Sequence, residues 1–426
     1  FNFNVIIMKK RTFIKNLSAL TLAPLVPFKK DLDSKNQIDF PVKPIDEDDF
    51  WSLVRSQYKL HPDFINLESG YYNIIPTPTL EHHFNHIRRV NLEGSYYMRK
   101  HRFEDKGTIT NQLAKTVGCK GENLVITRNT TESLDLVISG FPWNQGDEAI
   151  FAIQDYGAMQ DMFEQISKRY QVTLKKVSVP NHPKNDEEIV SLYESQITKN
   201  TKLLMVSHMI NITGHILPVK KICNMAHGYG VKVLVDGAHC IGHFDFEIEE
   251  LNCDYYGSSL HKWLATPLGA GLLYVADNEI PNLWPLMADN EKNLNKIKRH
   301  SHNGTIPVHT DLAIVNAIEY LQWIGVKRKE KRLRFLKNYW LNALKDVSNI
   351  VINTSFDDSR SCGIGNVGVA NMKPEILSKR LYDEFKIFTV AIDYANVKGC
   401  RITPNVFTTT NELDSFIKAM KSLASS

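Results

Sequence analysis

Two neighbouring stretches decide the fold: VKVLVDGAHC at residues 231–240 and DYYGSSLHKW at residues 254–263. In the first, Val231 to Val235 reads as a buried strand, and it delivers a carboxylate, Asp236, to its tip ahead of Gly237-Ala238-His239. In the second, the run Asp254 to Gly257 reads as the next strand and leads through Ser258-Ser259-Leu260-His261 to Lys262. A glycine-bearing segment follows, Pro267-Leu268-Gly269-Ala270-Gly271. The spacing between Asp236 and Lys262 suits one excursion and one return strand, so both can face the same cleft.

Upstream, Leu124 to Thr127, Ala149 to Ile153, Val172 to Val179 and Lys202 to Ser207 are further β-rich runs, most of them separated by amphipathic helical patterns. That rhythm predicts an α/β fold with a mostly parallel sheet covered by helices on both faces. Downstream, a helical stretch from Asp311 to about Leu344 leads to a second, shorter α/β block with strands at Val367 to Ala370, Phe388 to Ile392 and Arg401 to Thr403. The break between a large and a small domain is expected near residue 320. In open α/β sheets ligands sit at the carboxyl ends of the strands, which is where Asp236 and Lys262 fall.

With 426 residues, 43% hydrophobic and 23% charged, the chain can bury a core of two-domain size. A net charge of +4 gives no electrostatic reason to expect a nucleic-acid partner. The basic run from Lys327 to Lys337 reads as a solvated helix face, with Leu333 and Leu336 at helical spacing. The six cysteines form no CxxC pair, which argues against a zinc ribbon or a thioredoxin-like motif and leaves most of them as small buried hydrophobes. No apolar run reaches the ~18 to 20 residues of a membrane span. His82 and His86 stand one helical turn apart but lack a third ligand, so an amphipathic helix and no metal is the expectation. At the amino terminus, Met8-Lys9-Lys10-Arg11-Thr12-Phe13-Ile14-Lys15 precedes a mildly apolar stretch, the layout of an export signal over residues 1–30. It resembles a twin-arginine signal with Lys10-Arg11 in place of the arginine pair. Residues Phe1 to Ile7 read as upstream of the start; the alternative is a packed arm on a cytoplasmic protein.

The Asp236–Lys262 pair matches the needs of pyridoxal 5'-phosphate (PLP). A lysine amine in a partly desolvated, cationic site can bind the cofactor as a Schiff base and move protons at a substrate α-carbon. A carboxylate can hold the proton on the pyridine nitrogen, so that the ring accepts electrons. The phosphate needs a cradle, and Arg128-Asn129-Thr130-Thr131-Glu132-Ser133 follows a strand and opens a helix. Free N–H groups at a helix start, with the Thr130 and Thr131 hydroxyls, suit an anion, although such a start taken alone is merely a good cap.

These motifs occur together and in order: Asn129-Thr130-Thr131-Glu132, Asp155-Tyr156-Gly157-Ala158-Met159, Asn211-Ile212-Thr213-Gly214, Asp236-Gly237-Ala238-His239, Ser259-Leu260-His261-Lys262, Asn303-Gly304-Thr305 and Arg401-Ile402-Thr403-Pro404. From about Asn66 to its end the chain resembles the class V aminotransferase family of fold-type I PLP enzymes, most closely the isopenicillin N epimerase-like branch. The resemblance implies a large, mostly parallel seven-stranded PLP domain (residues 70–320) and a small α/β carboxyl-terminal domain (residues 321–426), with an arm at residues 31–69 packing on the latter. It also implies that Tyr156 stacks on the cofactor ring, Asn211 bonds its 3′-oxygen, and His239 packs beside it. Ser259 and His261 would join Thr131 around the phosphate, and Thr305 would reach the phosphate of a partner subunit in a homodimer with shared sites. Arg401 would hold the carboxylate of a small-molecule amino-acid substrate. Cysteine desulfurases need a thiol a little before that arginine, and residues 391–399 contain none. An aminotransferase or epimerase is therefore expected and a desulfurase is not; a PLP lyase or a PLP-fold binding protein without turnover remains open.

Overall fold

The computed structural model describes residues 38–425, so the expected export signal and the first residues of the expected arm lie outside the described part. The main sheet has seven strands: β1 (Leu124–Thr127), β2 (Glu148–Ala152), β3 (Thr173–Val177), β4 (Thr201–Ser207), β5 (Lys232–Asp236), β6 (Tyr255–Ser259) and β7 (Gly271–Val275). Their spatial order is β1-β7-β6-β5-β4-β2-β3. All pairings are parallel except those of β7, which runs antiparallel to both β1 and β6. Burial on both faces explains the unbroken apolar runs. Leu204, Val206, Val233 and Val235 enter one core layer, while Leu203, Met205 and Leu234 enter the other.

The β7 strand is absent from the expected set. Its sequence, GLLYV, is as apolar as its neighbours, and apolar content does not reveal strand direction. The short connection from Ser259 to Gly271 returns the chain antiparallel beside β6, and β7 then packs tightly on the other side, where a Cβ on Gly271 would lie 2.7 Å from the Asn129 backbone. Only glycine lets β7 run beside the loop after β1.

A second sheet, wholly antiparallel, has the order β10-β11-β9-β8, with β8 (Ile350–Ile352), β9 (Gly365–Val369), β10 (Val390–Tyr394) and β11 (Val397–Ile402). The expected run Phe388 to Ile392 is split, because Ile387–Phe388 leaves this sheet to pair in parallel with Ile65–Asn66. Ahead of that pair, helix α1 (Glu47–Ser56) buries Phe50, Trp51 and Val54 in a cluster with Trp263, Tyr320, Trp323 and Leu333.

The expected helix from Asp311 to Leu344 is two helices, Val308–Ile324 and Val326–Leu344. Gly325 separates them at φ 92°, a conformation that ends an L-residue helix. The basic face of the second helix is also not simply solvated. Lys329 and Lys337 are buried, with the Lys329 ammonium on the Trp263 carbonyl and the Lys337 ammonium 2.8 Å from Ser361 Oγ. Helical spacing had marked Leu333 and Leu336; Lys329, Lys337 and Trp340 share their side of the helix and are buried with them. No helix among the described residues is long and apolar enough to cross a membrane.

Candidate active site

The carboxyl edge of the sheet builds one cleft of about 370 Å³, and ten of the eleven expected site residues line it: Thr130, Thr131, Tyr156, Asn211, Asp236, His239, Ser259, His261, Lys262 and Arg401. That volume lies in the range of small-molecule sites. Thr305 is the exception. It is exposed on a loop outside the cleft, tied down where Asn303 Nδ2 donates to Glu132 Oε1 at 3.0 Å and Arg102 Nη2 to the Gly304 carbonyl at 3.1 Å.

One end of the cleft is an anion cradle. The helix Thr130–Gly140 is capped by Asn129, whose side chain accepts from Glu132 N at 2.9 Å. Ser259, at the end of β6, accepts from Thr130 N at 2.9 Å and lies 2.6 Å from Thr130 Oγ1. Ser133 N donates to the Asn129 carbonyl. The first-turn N–H of Thr131 is thus left over at a positive helix end that faces the cleft. His261 Nδ1 is buried without a protein partner, a donor or acceptor position held open for a ligand. Gly257 keeps helix and strand in contact, since a Cβ there would meet Ser133 and Leu134 at 2.8 to 2.9 Å.

At the sheet centre, Asp236 stands in register with Ser207 on β4 and Gly257 on β6. Its carboxylate is buried and accepts from Ala238 N at 2.9 Å. Burial raises its pKa, because one backbone N–H does not replace its hydration. A protonated ring nitrogen would supply the missing partner. Lys262 follows β6, and burial lowers its amine to about 8, opposed by Asp236 and reinforced by Arg401.

A buried relay orients that amine. Lys262 Nζ is 3.1 Å from His239 Nε2, and Trp263 Nε1 donates to His239 Nδ1 at 3.4 Å. Indole nitrogen only donates, so His239 Nδ1 accepts and the ring proton sits on Nε2. There it can donate to the lone pair of Lys262 in the neutral fraction of the amine. Burial also holds His239 well below its ordinary pKa, consistent with a neutral ring. Trp263 is itself stacked on His243 at 3.6 Å between centroids.

Tyr156 caps the helix Gly157–Tyr170 and is 50% exposed, which leaves its ring available as a platform in the cleft. Behind it, Asp155 is buried and was not among the expected site residues. It accepts from Ser207 Oγ and Ala152 N, each at 2.7 Å, and burial pushes its carboxyl up to about 7, with Asp236 adding to the rise.

Arg401 departs from expectation in two ways. It lies near the end of β11 instead of opening a strand, and its fork is already engaged. Nε donates to Glu68 Oε2 at 3.1 Å and Nη2 to Glu68 Oε1 at 2.5 Å, while Nη1 lies 3.4 Å from the Asn211 carbonyl. Glu68 went unrecognised in the sequence. The available signal was a lone acid in the apolar stretch FINLESG, residues 64–70.

The residues fit PLP: an anion cradle, a buried carboxylate short of a cation, an aromatic platform, and an amine neutral enough to bond a carbonyl carbon. A family model described as Aminotransferase class-V matches residues 81–391 of the chain. An isopenicillin N epimerase of Streptomyces clavuligerus is 24% identical over 394 residues, 88% of this chain and 98% of that protein. Among solved structures, an apo cysteine desulfurase of Thermococcus onnurineus NA1 superposes with TM-score 0.78 at 20% identity, covering 91% of this chain and 100% of that one. A C-DES mutant with glycine covalently linked to its PLP cofactor gives TM-score 0.77 at 19% identity, covering 86% and 98% of the two chains.

Proposed function

Because the chain belongs to the class V aminotransferase family, we propose that it is a PLP enzyme acting at the α-carbon of an amino-acid-like amine, of the aminotransferase or epimerase type. The observation that carries this reading is the meeting of Lys262, Asp236 and the Thr130–Thr131–Ser259 cradle in one cleft. The cofactor, when bound, supplies an electron sink for charge released at the substrate α-carbon. The chain's own residues do the rest. Lys262 Nζ would hold the cofactor and carry a proton to or from the α-carbon, a task suited to an amine near 8. Asp236 would keep the ring nitrogen protonated. Tyr156 and His239 would confine the ring, and the helix start at Thr130 would hold the phosphate. Borohydride reduction of the cofactor-loaded protein followed by peptide mapping tests this: label on Lys262 is expected, and label on another lysine would overturn it.

Desulfurase activity is not part of this reading. β10 and β11 are joined by a tight turn at Ala395-Asn396, and residues 391–399 hold no cysteine. Cys400 and Cys362 are buried with thiols pushed up to about 12, which leaves almost no thiolate near neutrality. Sulfide release from L-cysteine at a rate matching turnover of other amino acids would count against it.

A homodimer is part of the proposal, with Thr305 reaching the partner's phosphate. Its support is the exposed Asn303–Thr305 loop, which Glu132 anchors to the cradle helix. Sedimentation of the loaded protein should give a dimer, and a fully active monomer would refute it. Export through residues 1–30 is proposed on the Lys10-Arg11 pattern alone; its absence from an exported fraction would end that proposal.

A further inference from the structure

The Arg401 guanidinium is the only part of the expected substrate site already holding a carboxylate, and that carboxylate belongs to the chain itself. Arg401 and Glu68 are 6% and 7% exposed, so the pair is buried and its charges are poorly screened. Glu68 is held on both oxygens. Oε1 accepts from Arg401 Nη2 and from Tyr71 N at 2.8 Å; Oε2 accepts from Arg401 Nε at 3.1 Å and faces Thr403 Oγ1 at 3.5 Å. Gly70 lies flat against the guanidinium, where an added Cβ would be 3.1 Å from Cζ. The segment Glu68–Tyr71 therefore pins the side edge and one face of the arginine. What remains for a ligand is the end edge, Nη1 and Nη2, beside Asn211.

We propose that Glu68 determines which substrates this site accepts: by neutralising Arg401 it suits the site to amines whose group beside the α-carbon is uncharged, such as amides, and disfavours free α-carboxylates. This rests on the amine-site reading above and narrows its substrate class. A ligand carboxylate on the end edge would share one guanidinium with Glu68, roughly 5 to 7 Å from it. Repulsion at that range and an intermediate dielectric is worth about tenfold to a hundredfold in affinity. A neutral amide carbonyl accepts from the same N–H groups without meeting that repulsion.

The test titrates the PLP-loaded protein with L-alanine against L-alaninamide, and with L-phenylalanine against its amide. Binding is read by calorimetry and by the visible cofactor band, at equal concentrations of neutral amine. In the unmodified protein the amide should bind at least about threefold more tightly than the acid. Glu68→Gln keeps the shape and an acceptor but removes the charge; the acid should gain at least tenfold while the amide stays within about twofold. Glu68→Asp keeps the charge and should leave the acid-to-amide ratio within threefold. If Glu68 only positioned Arg401, Glu68→Gln would weaken the acid, and that sign would overturn the proposal. An acid that bound as tightly as its amide in the unmodified protein, or more tightly, would overturn it without any variant, so a Gln variant that fails to fold does not rescue it. If no acid or amide perturbs the loaded protein, the amine-site reading falls and this inference with it. If amides bind but Glu68→Gln gains nothing for acids, only the role of Glu68 falls.

Discussion

The most exacting consequence of the site is the titration of Lys262 in the cofactor-free protein. Burial lowers its amine from 10.5 to about 8. At pH 7 an ordinary lysine is neutral in roughly three molecules in ten thousand, whereas one titrating near 8 is neutral in roughly one in ten. The gain in reactive amine is about three-hundredfold. Asp236 opposes this depression by favouring the charged form, so Asp236→Asn should move the inflection further down, by about one pH unit at an effective dielectric near 20. Competitive acetylation with trace acetic anhydride reads this directly. The Lys262 peptide is quantified by mass spectrometry from pH 6 to 11 against N-acetyl-lysinamide, with no cofactor present. Labelling should rise about tenfold per pH unit and level off near 8. An inflection near 10.5, or an upward move in Asp236→Asn, would refute the reasoning that burial and these two charges set the amine.

Three further outcomes follow from the same geometry. Lys262 has a folded pKa below its unfolded value, so its charge costs stability below about pH 8 and the cost fades as pH rises to 10.5. Lys262→Met should therefore stabilise the cofactor-free protein against urea by about 2 to 3 kcal/mol at pH 7 and by little at pH 10.5; an equal effect at both pH values would exclude this cause. Ser259→Ala removes the oxygen that receives Thr130 N, so PLP affinity should fall about tenfold while that for pyridoxal, which lacks the phosphate, should hold; equal losses in equilibrium dialysis would place Ser259 elsewhere. Gly325→Ala meets nothing closer than 3.8 Å but must adopt φ 92°, so it should cost about 1 to 3 kcal/mol in urea with PLP affinity unchanged; a neutral effect would mean that the two helices can merge.

The sequence by itself determined what is local or repeats along the chain. β5 was readable because a strand buried on both faces is continuously apolar, and Asp236 and Lys262 were readable as site residues because chemistry on such sheets sits at the strand tips. The cradle at Thr130 was readable because a cap and a phosphate site use the same unpaired N–H groups. Only the tertiary structure decided the long-range pairings. The pairing of β7 with β1 brings Gly271 against Asn129, far away in the chain. The break at Gly325 hinges on a dihedral that periodicity does not register, and the burial of Lys329 and Lys337 follows from acceptors at Trp263 and Ser361 that sequence spacing cannot supply. Above all, Arg401 could be recognised as a carboxylate fork, but its occupant could not. Glu68 lies 333 residues earlier, and two charges so distant become partners only when folding buries them together, where an unpaired charge would cost more than either could bear alone.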